Sequence, residues 1–172
     1  MKLEKKDPVM EARRRLENVT PLKRDCGRLC GARCCRSLEG EETGMLLFPG
    51  EEREYQDLPG WRVKQGAAGK LAVCPGTCAR AERPLSCRLF PLLPKITEEG
   101  IHCVMDLRAG AVCPLSRRGL KALDPAFVEV VRAAGEVLAG DAECAAVLES
   151  LAREQADWRE LRDMLRGQGK EA

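Results

Sequence analysis

The chain has 172 residues, enough for one domain or for one domain with a short extension. Hydrophobic residues make up 44% and charged residues 33%, yet 29 Lys and Arg against 27 Asp and Glu leave a net charge of only +2. That balance, with an aromatic content of 3%, argues against a general nucleic-acid binder or a base-stacking platform.

In chain order, Met1-Lys2-Leu3-Glu4-Lys5-Lys6-Asp7-Pro8 carries basic residues with no apolar stretch behind them, so it does not read as a secretory signal. Residues 9–18 read as a short polar helix that ends at Thr20-Pro21. A first cysteine segment holds Cys26, Cys30, Cys34 and Cys35, and an acidic turn, Glu39-Gly40-Glu41-Glu42, follows it. Met45–Phe48 is apolar enough for a buried strand. Pro49-Gly50-Glu51-Glu52 reads as a turn entering a helix, with both acids favoured at its N-terminus. Trp61–Gln65 and Lys70–Cys74 flank Gly66-Ala67-Ala68-Gly69 as a β-hairpin.

The second cysteine segment brings Cys74, Cys78 and Cys87, and Pro84, Pro91 and Pro94 forbid a long helix there. Ile101–Leu107 reads as a strand, and Cys113-Pro114 follows in a loop. Asp124-Pro125 is an N-cap with proline in the first helical turn. Phe127, Val128, Val130, Val131, Ala134, Val137 and Leu138 recur at helical spacing until Gly140. Asp141 caps a second helix, whose apolar face runs through Cys144, Val147, Leu148, Leu151, Trp158, Leu161 and Leu165. The tail from Gly167 reads as frayed. The expectation is an α+β fold: a cysteine-rich, metal-stapled domain with short strands over residues 20–118, and a helical hairpin over residues 119–166 packed on it.

No apolar run approaches membrane-spanning length, so the chain reads as cytoplasmic, with no membrane partner. Ten cysteines in a reducing compartment favour metal thiolates over disulfides. Eight of them sit in turn-like surroundings and are the expected metal ligands: Cys26, Cys30, Cys34, Cys35, Cys74, Cys78, Cys87 and Cys113. Their thiolates would have to meet around points about 2.3 Å away. In one straight helix Cys26 and Cys34 would lie about 12 Å apart along the axis. Either the segment bends at Gly27 or Gly31, where glycine permits it, or its cysteines divide between sites.

Adjacent Cys34 and Cys35 point in different directions, so they read as serving two sites, or one of them as a bridge. Seven arginines lie around the thiols in sequence (Arg24, Arg28, Arg33, Arg36, Arg80, Arg83 and Arg88) and either stabilise thiolates, stand as ordinary solvated charges or bind a partner's acids. Arg83 and Arg88, which bracket Cys87, read as bonding nearby carbonyls to fix the Pro-rich loop or as orienting the metal shell. Charge does not separate zinc from an iron–sulfur cluster. The spacing matches neither the ferredoxin run nor a plain pair of C-x2-C knuckles.

Cys103 and Cys144 read as core cysteines. His102, the single histidine, reads as structural rather than as a ligand. No phosphate loop, dinucleotide fingerprint, nucleophile elbow or HExxH motif occurs.

With Cys26–Cys35 ending in a Cys-Cys pair, Cys74 and Cys78 downstream, and the block Arg83-Pro84-Leu85-Ser86-Cys87-Arg88-Leu89-Phe90-Pro91, the chain resembles the YkgJ-type cysteine-cluster proteins. The last block looks like that family's RPxxCRxFP signature, and the resemblance spans residues 26–116. The family opens C-x2-C-x2-C-C, whereas here each gap holds three residues. The resemblance implies chelation of zinc or iron through eight cysteines, without a settled activity. Related clusters are associated with lysine methylation of flagellin. Three functions follow as expectations: a metal-binding protein, an iron–sulfur oxidoreductase or protein-modifying enzyme, and an interaction module with structural zinc and an acidic protein partner.

Overall fold

The computed structural model describes residues 7–36 and 44–168, so the acidic turn expected at Glu39–Glu42 lies outside the described residues. The fold is α+β. It opens with α1 (Pro8–Arg15), capped by the Asp7 carboxylate, which accepts from the amides of Val9 at 2.9 Å and Met10 at 3.2 Å. The sequence suggests a polar surface helix here, but α1 is a core element. Val9, Ala12 and Leu16 recur every three or four residues and are buried, and α1 packs against the first long C-terminal helix.

The first cysteine segment forms α2 (Gly27–Cys30), then a 3-10 turn over Arg33–Cys35. Next come β1 (Met45–Leu46), α3 (Glu52–Gln56) and the hairpin of β2 (Arg62–Gly66) with β3 (Gly69–Val73). The hairpin falls where the sequence places it. The resulting antiparallel sheet has the order β1-β3-β2, with Leu46 opposite Leu71 and Val63 opposite Ala72. Beneath it Leu47, Tyr55, Trp61 and Ala72 form a small core of their own, with the Tyr55 and Trp61 rings 4.8 Å apart.

A short α4 (Leu85–Leu89) leads into β4 (Leu92–Thr97), which pairs antiparallel with β5 (Gly100–Met105). The prolines that exclude a long helix here also hide β4. Pro94 is tolerated because β4 pairs only with β5 and has a free edge. A short α5 (Ala109–Val112) delivers Cys113.

The two C-terminal helices are α6 (Pro125–Ala139) and α7 (Ala142–Gln168), each started by an aspartate cap: Asp124 to the Ala126 amide, 3.0 Å, and Asp141 to the Glu143 amide, 3.2 Å. They do not form a separate layer. Phe127, Val131, Ala134, Leu138, Cys144, Leu148 and Leu151 share one core with Leu16, Phe48, Leu85 and Leu92. Each large buried side chain of this kind stabilises the fold by roughly 1.5–3 kcal/mol. The expected apolar face of α7 divides: it is buried through Leu151 and open to solvent at Trp158, Leu161 and Leu165. Among the described residues no helix is long and apolar enough to cross a membrane.

Candidate metal centre

The cysteine segment bends at Gly31 and Ala32. Gly31 caps α2 at φ +63°, and Ala32 follows at φ +54°, a left-handed conformation that is unfavourable for a residue with a Cβ. The Ala32 amide donates to the Gly27 carbonyl at 2.9 Å and closes the turn. The reversal separates Cys26 and Cys30 on one arm from Cys34 and Cys35 on the other. α5 packs against the Arg33–Cys35 turn and brings Cys113 to the same place.

The second segment approaches from the other side. A Cβ placed on Gly76 would stand 3.9 Å from the Cys35 carbonyl. The Gly76 amide donates to the Cys74 sulfur at 3.4 Å. The loop that follows is pinned by cationic side chains. Arg80 donates to the carbonyls of Glu17 (2.8 Å), Leu16 (3.0 Å) and Val19. The buried Arg88 donates to those of Ala81 (2.8 Å), Arg83 (2.9 Å) and Arg13 (3.1 Å). Arg13 itself reaches the Ala81 carbonyl at 3.3 Å and pairs with Glu54, while the Tyr55 hydroxyl donates to the Glu82 carbonyl at 2.7 Å.

The block Arg83–Pro91 therefore divides its work residue by residue. Leu85 and Leu89 fill the core, Ser86 donates to the Leu46 carbonyl, Arg88 ties the loop, and Cys87 and Arg83 face the other thiols.

The thiols fall into two groups by electrostatic neighbourhood. In the first, burial raises the Cys26 thiol, with the charges of Asp25, Cys113 and Cys30 adding to it, and Cys34 also feels Cys26 and Cys30. In the second, burial pushes Cys74 up to about 11, with Cys78 and Cys35 close by. Burial pushes Cys87 well up, and Cys35, Cys78 and Cys74 add to it. The adjacent pair joins the groups: Cys34 donates a hydrogen bond to Cys35, which holds the Cys34 proton firmly and lowers Cys35, while the Arg83 charge lowers Cys35 further. Burial works against the charge on Arg83, but its hydrogen bond to Cys78 and the charges of Cys78, Cys35 and Cys87 outweigh that.

By these electrostatic contacts Cys26, Cys30, Cys34 and Cys113 neighbour one another, as do Cys35, Cys74, Cys78 and Cys87, with Cys34 and Cys35 in contact between them. Among the described residues, no three His, Cys, Asp or Glu side chains converge tightly enough to hold a single ion as they stand. The donor chemistry nevertheless suits a soft ion, since each group supplies four thiols. The buried Arg83 Nε, which has no hydrogen-bond partner among the described residues, sits beside the second group as a ready countercharge.

The remaining candidates stand apart. Cys144 is fully buried in the main core, as expected. Cys103 is only half-buried, with its sulfur 3.5 Å from the Val128 carbonyl. His102 is exposed on β5 and lies 3.6 Å from Glu99. Glu52 pairs with Lys70 at 3.1 Å.

Glu51 stands at the start of α3 as expected, at its N-cap, but it is drawn inward. It is 4% exposed, and its two oxygens accept from the amides of Phe48 (2.9 Å) and Leu85 (2.8 Å). It therefore orients α4 two residues ahead of Cys87. Nothing in a Pro-Gly-Glu-Glu stretch distinguishes that role from an ordinary helix start. Arg13 is missed for a similar reason, since Glu54 and the Ala81 carbonyl lie far along the chain, and Arg80, named among the arginines near the thiols, ties the distant carbonyls of Leu16, Glu17 and Val19.

Beside the first thiol group lies a cleft of about 390 Å³, lined among others by Leu29, Cys30, Arg33, Val112, Cys113 and Arg117. Comparison with family models, curated proteins and solved structures finds no match to this chain.

Proposed function

We propose that the chain is a metal-binding protein that holds two zinc ions, or iron–sulfur centres, through two four-thiolate sets. Cys26, Cys30, Cys34 and Cys113 form one set, and Cys35, Cys74, Cys78 and Cys87 the other. The observation that carries this reading is the division of the adjacent pair: Cys34 neighbours the first set of thiols and Cys35 the second. The bend at Gly31 and Ala32 answers the spacing problem for the first set, because Cys26 and Cys34 need not reach one ion along a straight helix. The reading also accords with the YkgJ-type resemblance and with a reducing, cytoplasmic setting. Bound ions would tie together segments far apart in the chain and so stabilise a fold with few aromatic side chains.

Anaerobic purification with metal analysis and absorbance tests the reading. Colourless protein with about two zinc ions per chain supports zinc in both sets. Brown protein with broad visible absorbance supports clusters. Protein that folds and carries neither metal overturns the proposal.

A second reading, an enzyme acting at the first set, is favoured by the cleft against Cys30 and Cys113, whose volume suits a small ligand. Arg33 and Arg117 on its rim would attract a carboxylate or an acidic peptide. The iron–sulfur oxidoreductase and the lysine-methylation-like enzyme belong to this reading, and the interaction module with structural zinc uses the same arginines for an acidic partner.

A further inference from the structure

Four of the seven large exposed hydrophobic residues among the described residues lie on the last turns of α7: Trp158 (59% exposed), Leu161, Met164 and Leu165 (62%). The seam Leu148, Leu151, Gln155, Trp158, Arg162, Leu165 follows the alternating three- and four-residue steps of a helix that packs along another helix. Its first half is spent within the fold, where Leu148 and Leu151 are buried and α7 lies against β4.

Past Leu151 the same seam lines a groove of about 700 Å³ whose other wall comes from Leu107, Arg108 and Gly110. Gln155 lines that groove. It is only 5% exposed, yet among the described residues neither its amide nitrogen nor its amide oxygen has a hydrogen-bond partner. Burying such a group unpaired costs about 1–3 kcal/mol, so a hydrogen-bonding group that reached it would be favoured.

We infer that a second copy of this chain fills the groove, with the two α7 helices antiparallel about a two-fold axis at Trp158. A parallel pairing is excluded, because it would seat the first half of the second helix where β4 already lies. A lipid surface fits poorly: Arg153, Arg159 and Arg162 are matched by Glu154, Asp157, Glu160 and Asp163, whereas a helix that lies on anionic lipid needs a basic polar face.

The antiparallel register is self-complementary. With the axis at Trp158, Glu154 of one copy stands level with Arg162 of the other, and this happens twice by symmetry. Leu165 of each copy comes level with Leu151 at the foot of the other's groove. The indole N–H of Trp158, a donor with no acceptor role, comes within about 4.5 Å along the axis of the other copy's Gln155 amide, a span the indole ring covers.

Sedimentation equilibrium on the full, metal-loaded chain across a concentration series is the test. The expected species has twice the 19.0 kDa chain mass, and its tryptophan emission shifts to the blue as dimer forms, because Trp158 leaves water while Trp61 is already buried. Trp158→Glu and Leu165→Glu should each give a monomer with unchanged circular dichroism and metal content. Arg162→Glu should weaken the dimer roughly tenfold, and Glu154→Arg combined with Arg162→Glu should restore it.

A monomer at every concentration overturns the proposal, as does a dimer indifferent to Trp158→Glu or a charge swap that restores nothing. Binding to anionic vesicles or to a foreign amphipathic helix in place of self-association overturns it as well.

Discussion

The Glu51 carboxylate accepts a hydrogen bond from the Leu85 amide at 2.8 Å, across 34 residues of chain. With its second oxygen on the Phe48 amide it ties the end of the β1 segment to the start of the helix that presents Cys87. Burial raises this carboxyl from 4.5 to about 7, against the lowering effect of both amides and of Arg13. Between about pH 4.5 and pH 7 the folded chain keeps a proton that the unfolded chain releases, so Glu51 makes stability fall as pH rises through that window. Glu51→Gln should flatten this slope in denaturation measured from pH 4.5 to 7.5. Glu51→Ala, which leaves two buried amides unpaired, should cost about 2–4 kcal/mol.

Arg88 holds three carbonyls with one planar group. Lysine carries the charge but lacks the fork. Arg88→Lys should therefore lower stability by about 2–3 kcal/mol, read as a shift in the urea midpoint with an unchanged slope. A shift below about 0.5 kcal/mol, the ordinary surface value, would mean that the loop does not depend on this residue.

Cys87 and Cys144 are both shielded cysteines with different expected roles. Cys87→Ser should remove about one metal equivalent from an eight-thiolate protein and lower its melting temperature sharply. Cys144→Ala should keep the full metal content and cost about 1 kcal/mol of packing. Equal metal content in the two variants would contradict the assignment of Cys87 as a ligand.

Gly135 sets how closely α6 lies on the β4–β5 hairpin. A Cβ there would stand 2.6 Å from the Pro94 Cβ and 2.7 Å from the Ile101 Cγ2. Neither atom belongs to a flexible chain end, so the helix would have to move. Gly135→Ala should destabilise the fold by about 1–3 kcal/mol despite the better helix propensity of alanine, measurable by thermal melting.

Local rules carried much of the fold. Asp124 and Asp141 act as caps as their positions foretell, the hairpin forms around Gly66–Gly69, and the segment between Cys26 and Cys35 bends at Gly31, since each of these features depends on residues within one or two turns of chain. α1 was harder to read: three buried residues among arginines suffice once α6 supplies the opposite face. β4 was hidden because proline signals apply to helices and central strands, and a free sheet edge relaxes them.

The sequence by itself determined which residues are candidates for metal chemistry: eight thiols in Gly- or Pro-rich surroundings, with arginines among them. Only the tertiary structure decided which thiols neighbour one another, which carbonyls Arg88 ties, and that Glu51 is buried between Phe48 and Leu85. The reason is physical. Residue type and short-range spacing act through the local backbone, whereas burial and electrostatic neighbourhood arise from segments that meet only when the whole chain has folded.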